Sequence, residues 1–257
     1  MLHIKALSDS MSLHADYKFT GNEFKFTNGM KKDFDKYGYI ILRNVLDKEE
    51  LENVKKCVEN NRELDKNTWG VSDRGGRYVK TALWHSAGDD VAGMVARCEK
   101  IVNTAEGVLD GEVYHYYTKY WYQNDILFPD MITVFIAIDR AHKGNGCLQI
   151  LEGSNNCGRI DHKMVAGQQG DTLFFHGNLL HCSAPNNSQD RRYAFLITYN
   201  KATNNPVKEH HFKSYTPLKK VPDSSIRQCT NYNIEDFYDP DVQKTIIPKK
   251  FGAEQSG

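Results

Sequence analysis

The sequence predicts a mainly β fold, a β-sandwich or jelly roll with helices packed outside it. Beyond Gly111 the chain breaks into short apolar runs at 131–138, 147–151, 172–175 and 192–199, divided by turns rich in Gly, Asn and Pro. Helical periodicity is confined to the first half, the arrangement expected when helices cover a sheet from one side. The length of 257 residues and the ordinary 40% hydrophobic content suit one large unit. A single domain is therefore expected over 1–257, with a polar, irregular arm at 1–29 and a wrapping tail at 205–257.

Taken in order, residues 30–37 read as a helix ended by Gly38, and 39–42 as a short strand. Asp47 with Glu50 three residues on is a capping box, and Leu46 and Leu51 bracket it as a hydrophobic staple. The helix that follows places Leu51, Val54, Cys57 and Val58 on one face. Residues 67–76, with Gly70, Gly75 and Gly76, read as a loop too short and wrongly placed to cradle a phosphate. Residues 77–84 read as a strand carrying Lys80. Val91, Met94, Val95, Cys98, Ile101, Val102 and Ala105 then recur at helical spacing, predicting one amphipathic helix closed near Gly111. The segment 112–122 is crowded with aromatics, among them Tyr114, Tyr116, Tyr117 and Tyr120.

Thirty-three basic side chains balance 33 acidic ones, so no basic stripe points to nucleic acid or an anionic membrane surface. No window has the apolar length of a membrane span, and residues 1–18 lack a secretory pattern. Six scattered cysteines without a Cys-x-x-Cys pair fit a reducing compartment, so a cytoplasmic location is expected.

The stretch 170–200 carries the most chemistry. Gly170 and Asp171 turn into a short strand, Leu179 and Leu180 deliver His181, a polar loop follows, and Arg192 enters the last strand. Were these strands to pair antiparallel, an imidazole and a guanidinium would face one volume able to hold a metal and a carboxylate. Strand parity leaves open which arginine points inward. Arg192 shares a face with Ala194, Leu196 and Thr198, and Arg191 shares one with Tyr193, Phe195, Ile197 and Tyr199. Both faces are apolar, so one of the two needs a buried partner. In isolation, one His and one Arg around a hairpin are more often structural than functional.

A series of motifs in order is more specific. It comprises Tyr37-Gly38-Tyr39-Ile40, Phe128-Pro129-Asp130-Met131, Asn145-Gly146-Cys147-Leu148-Gln149, Glu152-Gly153-Ser154, Gly158-Arg159-Ile160-Asp161-His162, Gly170-Asp171-Thr172-Leu173-Phe174-Phe175-His176 and Leu180-His181-Cys182-Ser183-Ala184-Pro185-Asn186. Over about residues 30 to 205 the chain resembles the phytanoyl-CoA dioxygenase family, most nearly its domain-containing-protein branch. The resemblance implies a double-stranded β-helix (jelly roll, cupin-like) binding Fe(II) and 2-oxoglutarate. It makes His181 the distal metal ligand, and Ser183 and Arg192 contacts of the 2-oxoglutarate carboxylate. Lys80 becomes a further co-substrate contact. The implied reaction is hydroxylase-type oxidation of a C–H bond in a small or amphipathic molecule by O2, with release of succinate and CO2. The neutral charge gives no support for a large anionic thioester substrate.

One departure is serious. The facial triad of such oxygenases needs two His and one carboxylate, and the family brings the first His and the Asp as His-x-Asp. That segment would join Lys119 to Tyr120, which here are adjacent. Of ten histidines, only His14 has a carboxylate two residues on, Asp16, in the polar arm. The family's Gly-Ser-His is Gly153-Ser154-Asn155 here, and a second stretch is missing between Gln169 and Gly170. Both junctions fall at loops beside the expected site, so each is expected to mark a loop left out of the chain rather than a lost metal site. The alternative is an inactive relative serving as a 2-oxoglutarate-binding or interaction module. A halogenase-like site would still need the first His. Asp130 and His115, as substitute ligands, lie at ligand spacing from no other candidate.

Overall fold

A computed structural model describes residues 4–5, 14–72, 78–117, 130–156, 171–183, 185–205 and 214–238. The elements are β1 (Ile4–Lys5), β2 (Asp16–Lys18), α1 (Asn28–Tyr37), β3 (Tyr39–Arg43), α2 (Lys48–Glu59), α3 (Arg62–Lys66), β4 (Trp69–Ser72), β5 (Tyr78–Thr81), α4 (Val91–Arg97), α5 (Glu99–Leu109), β6 (Val113–Tyr117), β7 (Met131–Ala137), β8 (Leu148–Leu151), β9 (Thr172–His176), β10 (His181–Ser183), β11 (Ala194–Lys201) and α6 (Ser225–Gln228). They form a six-stranded sheet ordered β2-β3-β9-β7-β11-β6, a three-stranded sheet ordered β1-β8-β10, and the β4–β5 pair. The two larger sheets make the expected jelly roll, with the helices against the six-stranded one.

Local chemistry sets the boundaries. The Thr27 hydroxyl accepts the Met30 N–H at 3.2 Å, which starts α1 two residues before the expected position. Gly38 ends it at φ +81°, where a Cβ would stand 2.5 Å from Asn155 and 2.6 Å from Leu179. The capping box of α2 is present in both directions, Glu50 N to Asp47 Oδ1 at 3.0 Å and Asp47 N to Glu50 Oε2 at 2.9 Å. Glu50 continues past its own helix to the Lys100 ammonium of α5, 2.7 Å away, and both side chains are buried.

Four expectations are corrected. The single helix over 89–108 is two, α4 and α5, because Cys98 adopts extended backbone to bridge Val221 of the tail. Val221 N donates to Arg97 O and Glu99 N to Val221 O. Residues 67–76 are not all loop, since β4 pairs with β5 there. The arm at 1–29 is not wholly irregular: β1 pairs with β8 and β2 runs parallel to β3. Finally, β10 and β11 do not form a hairpin. Strand β10 pairs with β8 and β11 lies between β7 and β6, since from β7 to β11 the strands alternate between the two larger sheets. The 119–120 and 169–170 junctions lie outside the described residues.

The two faces of the large sheet differ. Ile132, Val134 and Ile136 of β7 and Phe195, Ile197 and Tyr199 of β11 are buried against the helical layer, where the Tyr199 hydroxyl donates to Ala96 O at 2.6 Å. On the other face Thr133, Phe135, Ala194 and Leu196 are only half-buried. Thr198, Ala137 and Phe175 on the same face are buried, and this partly covered face is the floor of the candidate site.

Candidate functional site

His181 reaches this floor from the opposite sheet. It opens β10, with Ile150 as its Cα partner, and its ring stands at 60° to the Phe175 ring, 4.8 Å between centroids. Phe175 is the Cα partner of Thr133 and so lies on the half-buried face. A carbonyl can only accept, so the 2.8 Å contact between His181 Nδ1 and Leu179 O makes Nδ1 the protonated nitrogen of the neutral ring. The lone pair is then on Nε2, the tautomer of a metal-binding imidazole held by a backbone carbonyl.

The backbone that presents this ring is held on both sides. Leu180 N donates to the buried Ser154 hydroxyl at 2.9 Å, Leu151 N donates to Leu180 O at 2.9 Å, and Leu179 N donates to His176 O at 2.8 Å. The Gly-Ser of the Glu152-Gly153-Ser154 turn is thus a clamp on the strand that carries His181. Spacing along the chain gives no sign of that contact, since 26 residues separate Ser154 from Leu180.

The two arginines part company. Arg191 is exposed, and Asp139 takes its Nε at 2.8 Å and its Nη2 at 3.1 Å, with Glu59 on Nη1. Arg192, two residues before β11, is half-buried with the Cys147 thiol beside it. Its Nη1 is buried and, among the described residues, has no hydrogen-bond partner. Burial pulls its pKa below the usual guanidinium value, opposed only by the neighbouring Cys147 thiol. Cys147 precedes Leu148, the Cα partner of Ser183, so the guanidinium lies toward the Ser183 end of β10. Ser183 itself is exposed and shares a strand face with His181. Lys80 stands on β5 with its ammonium 3.5 Å from Asp65 Oδ1, each side chain nearly three-quarters exposed. It is a surface pair, not brought to the floor by any described contact.

These residues fit the two expected groups unequally. An orphaned guanidinium N–H on a half-buried face matches a carboxylate, as the anionic end of 2-oxoglutarate requires. A metal needs more. Among the described residues no group of three or more His, Cys, Asp or Glu could hold an ion. His181 supplies one imidazole. The His14-x-Asp16 pair is engaged elsewhere: Arg43 grips both Asp16 oxygens at 2.8 and 2.7 Å, and His14 stacks on Tyr37 beside Glu152. His115 lies opposite Tyr199, on the helix-covered face.

Comparison with known proteins finds one family model and several relatives. Residues 77–194 match the family model described as Phytanoyl-CoA dioxygenase (PhyH). L-proline trans-4-hydroxylase of Streptomyces griseoviridis is 24% identical over 177 residues, covering 46% of this chain and 66% of that protein. Methylphosphonate hydroxylase of Gimesia maris is 31% identical over 97 residues, covering 32% of this chain and 37% of that protein. The aligned region therefore spans under two thirds of either relative's length. An alignment of 177 residues that occupies 46% of a 257-residue chain also means that about a third of it has no counterpart here. The iron-bound structure of EctD from S. alaskensis superposes with a TM-score of 0.63 at 18% identity, over 78% of this chain and 90% of that one. The same protein with 2-oxoglutarate and 5-hydroxyectoine gives 0.60 at 17% identity, over 80% and 88%. At these identities the structural likeness speaks to the fold. Among the described residues no helix is long and apolar enough to cross a membrane.

Proposed function

We propose, from the premise that residues 77–194 carry a phytanoyl-CoA dioxygenase family domain, that this chain is an oxygenase of the Fe(II)- and 2-oxoglutarate-dependent class acting on a small molecule. The observation that carries the reading is the buried, partnerless Nη1 of Arg192. A guanidinium placed there without a counter-ion costs stability in the isolated protein and recovers it when a carboxylate arrives. Arg192 would hold the far carboxylate of 2-oxoglutarate through its planar fork, with the Ser183 hydroxyl as second donor. His181 would offer Nε2 to the metal, and the clamp at Ser154 and Leu151 would fix where that nitrogen points. When bound, iron and 2-oxoglutarate together supply the oxidising power, with O2 as oxidant and succinate and CO2 as co-products. The described residues offer one of the three ligands a facial triad needs, so no step through the metal follows from them.

A second reading is favoured by the sequence itself. With no His-x-Asp other than His14-Ala15-Asp16, the same fold would bind 2-oxoglutarate without turning it over, as a binding module. Anaerobic titration separates the two. The oxygenase reading expects 2-oxoglutarate to bind and a metal-to-ligand charge-transfer band to appear on adding Fe(II). Binding by calorimetry without that band selects the module. In R192M, affinity for 2-oxoglutarate falls at least about thirtyfold, because one partner of a buried charge pair is gone. The thermal midpoint of the ligand-free variant does not fall, since the buried Nη1 has no partner among the described residues. Undiminished 2-oxoglutarate affinity in R192M would refute both readings.

A further inference from the structure

Two contacts join the larger sheets side by side, the Phe175–His181 ring pair and a hydrogen bond between Tyr39 and Glu152. Tyr39 of β3 is the Cα partner of Phe175, the ring on which His181 leans. Glu152 directly follows β8, two residues after Ile150, the Cα partner of His181, and so takes the same face as the imidazole. From that position its Oε1 accepts from the Tyr39 hydroxyl. Its Oε2 lies 3.2 Å from His14 Nδ1, and a carboxylate oxygen only accepts, so the His14 ring donates. Tyr39 is fully buried, and the Glu152 side chain is 9% exposed. Burial, with the Glu152 carboxylate beside it, holds the Tyr39 phenol well above its ordinary pKa, so it remains a donor. Hydrogen bonds to a carboxylate are roughly twice as strong as neutral ones.

We propose that Glu152 is a positioning residue: its bond to Tyr39 fixes the spacing of the two sheets where His181 meets Phe175, and so keeps Ser183 within reach of the acid that Arg192 holds. The inference rests on the carboxylate-binding reading above and adds a residue to it. In that reading the grip on 2-oxoglutarate is shared between the sheets. Ser183 belongs to β10 of the three-stranded sheet, and Arg192 stands two residues before β11 of the six-stranded one. A constellation of this kind tolerates about 0.5 Å of misplacement before its geometry is lost, so a ligand held from two sheets depends on their separation. The two residues after Glu152 extend the tie. Gly153 N donates to Tyr37 O at 2.9 Å, and the Ser154 hydroxyl accepts from Leu180 N, one residue before His181. Glu152 and Gly153 thus hold the turn to the junction of α1 and β3, while Ser154 holds it to the strand that carries the imidazole. A purely structural Glu152 would only satisfy the buried phenol, and its loss would cost stability without moving His181.

The test uses the full chain, with 2-oxoglutarate affinity measured by calorimetry and NMR of the His181 ring protons, which carry the ring-current shift of Phe175. In E152L that shift is expected to fall by about half or more as the ring pair opens, and 2-oxoglutarate affinity to fall about fivefold or more. E152Q keeps an oxygen that accepts from Tyr39 and should stay within about twofold of the unmodified chain in affinity, with the His181 shift in place. Y39F removes the same bond from the other side and should match E152L, and it carries the comparison if E152L does not fold. The proposal is overturned if the folded variants leave either the His181 shift or the 2-oxoglutarate affinity unchanged, or if E152Q loses as much as E152L. Failure of the unmodified chain to bind 2-oxoglutarate would instead sink the earlier reading, while the His181 shift still tests the tie between the sheets.

Discussion

At the scale of single residues, the turn that delivers His181 depends on the protonation of a second histidine. His176 Nδ1 accepts the Asn178 N–H at 3.0 Å, which only the neutral ring can do. Burial holds the His176 pKa below its ordinary 6.5. The unfolded chain therefore takes up this proton first. The stability His176 lends is fully present above the ordinary value and is lost as pH falls below it, toward the folded value. The thermal midpoint should drop between pH 7.5 and 5.5, and drop less in H176Q; equal drops would show that His176 is not the titrating group. Residue types alone told much here. Arg192 stood out as one of two adjacent arginines entering an apolar strand, yet parity could not choose between them. The choice fell to Asp139 and Glu59, from distant parts of the chain, which hold Arg191 at the surface while Arg192 is half-buried beside Cys147.

At the scale of elements, α2 and α5 are joined by charge as well as by packing. Glu50 closes its own capping box and meets Lys100, while Arg227 of α6 stands 3.7 Å off. Burial raises the Glu50 pKa and the Lys100 ammonium opposes the rise. In K100M the carboxylate is left buried without its cation, so the unfolding free energy at pH 7 should fall by about 3–5 kcal/mol. E50Q/K100M should recover most of that loss. Urea unfolding of the two variants decides the matter, and a K100M loss below about 1 kcal/mol, the range of exposed pairs, would show the pair to be effectively solvated. The capping box was legible because all its parts lie within four residues. The split between α4 and α5 was not, because its cause, the Val221 bridge to Cys98, comes from more than a hundred residues away.

At the scale of the whole molecule, the C-terminal tail is part of the core. Ile226 is fully buried and its carbonyl accepts Asn53 Nδ2 at 2.7 Å, while Phe237 bridges Trp84 in antiparallel register. I226A should lower the unfolding free energy by about 2–5 kcal/mol, as for other buried aliphatic truncations. A cost under about 1 kcal/mol in urea would mean that the tail merely lies on the surface. Its Pro-punctuated, polar composition suggested a wrapping segment; its described part, 214–238, packs α6 against α2 and α4 and pairs Phe237 with Trp84. The points where it enters the core were invisible, because isolated apolar residues such as Ile226 and Ile234 form no periodic pattern.

The sequence by itself pointed to the class of fold, to the order of strands and turns in the second half, and to His181 and Arg192 as groups to watch, whereas Ser183 came from the family resemblance. These rest on local rules: alternation, turn chemistry and the donor sets of imidazole and guanidinium. Tertiary structure alone decided that His181 and Arg192 come from different sheets, that Lys80 stays at the surface with Asp65, and that Glu152 meets Tyr39 beside Phe175. The physical reason is that strand pairing in a jelly roll joins segments distant in sequence. The face a side chain occupies follows from its own strand, but its neighbours there follow from the register of the others.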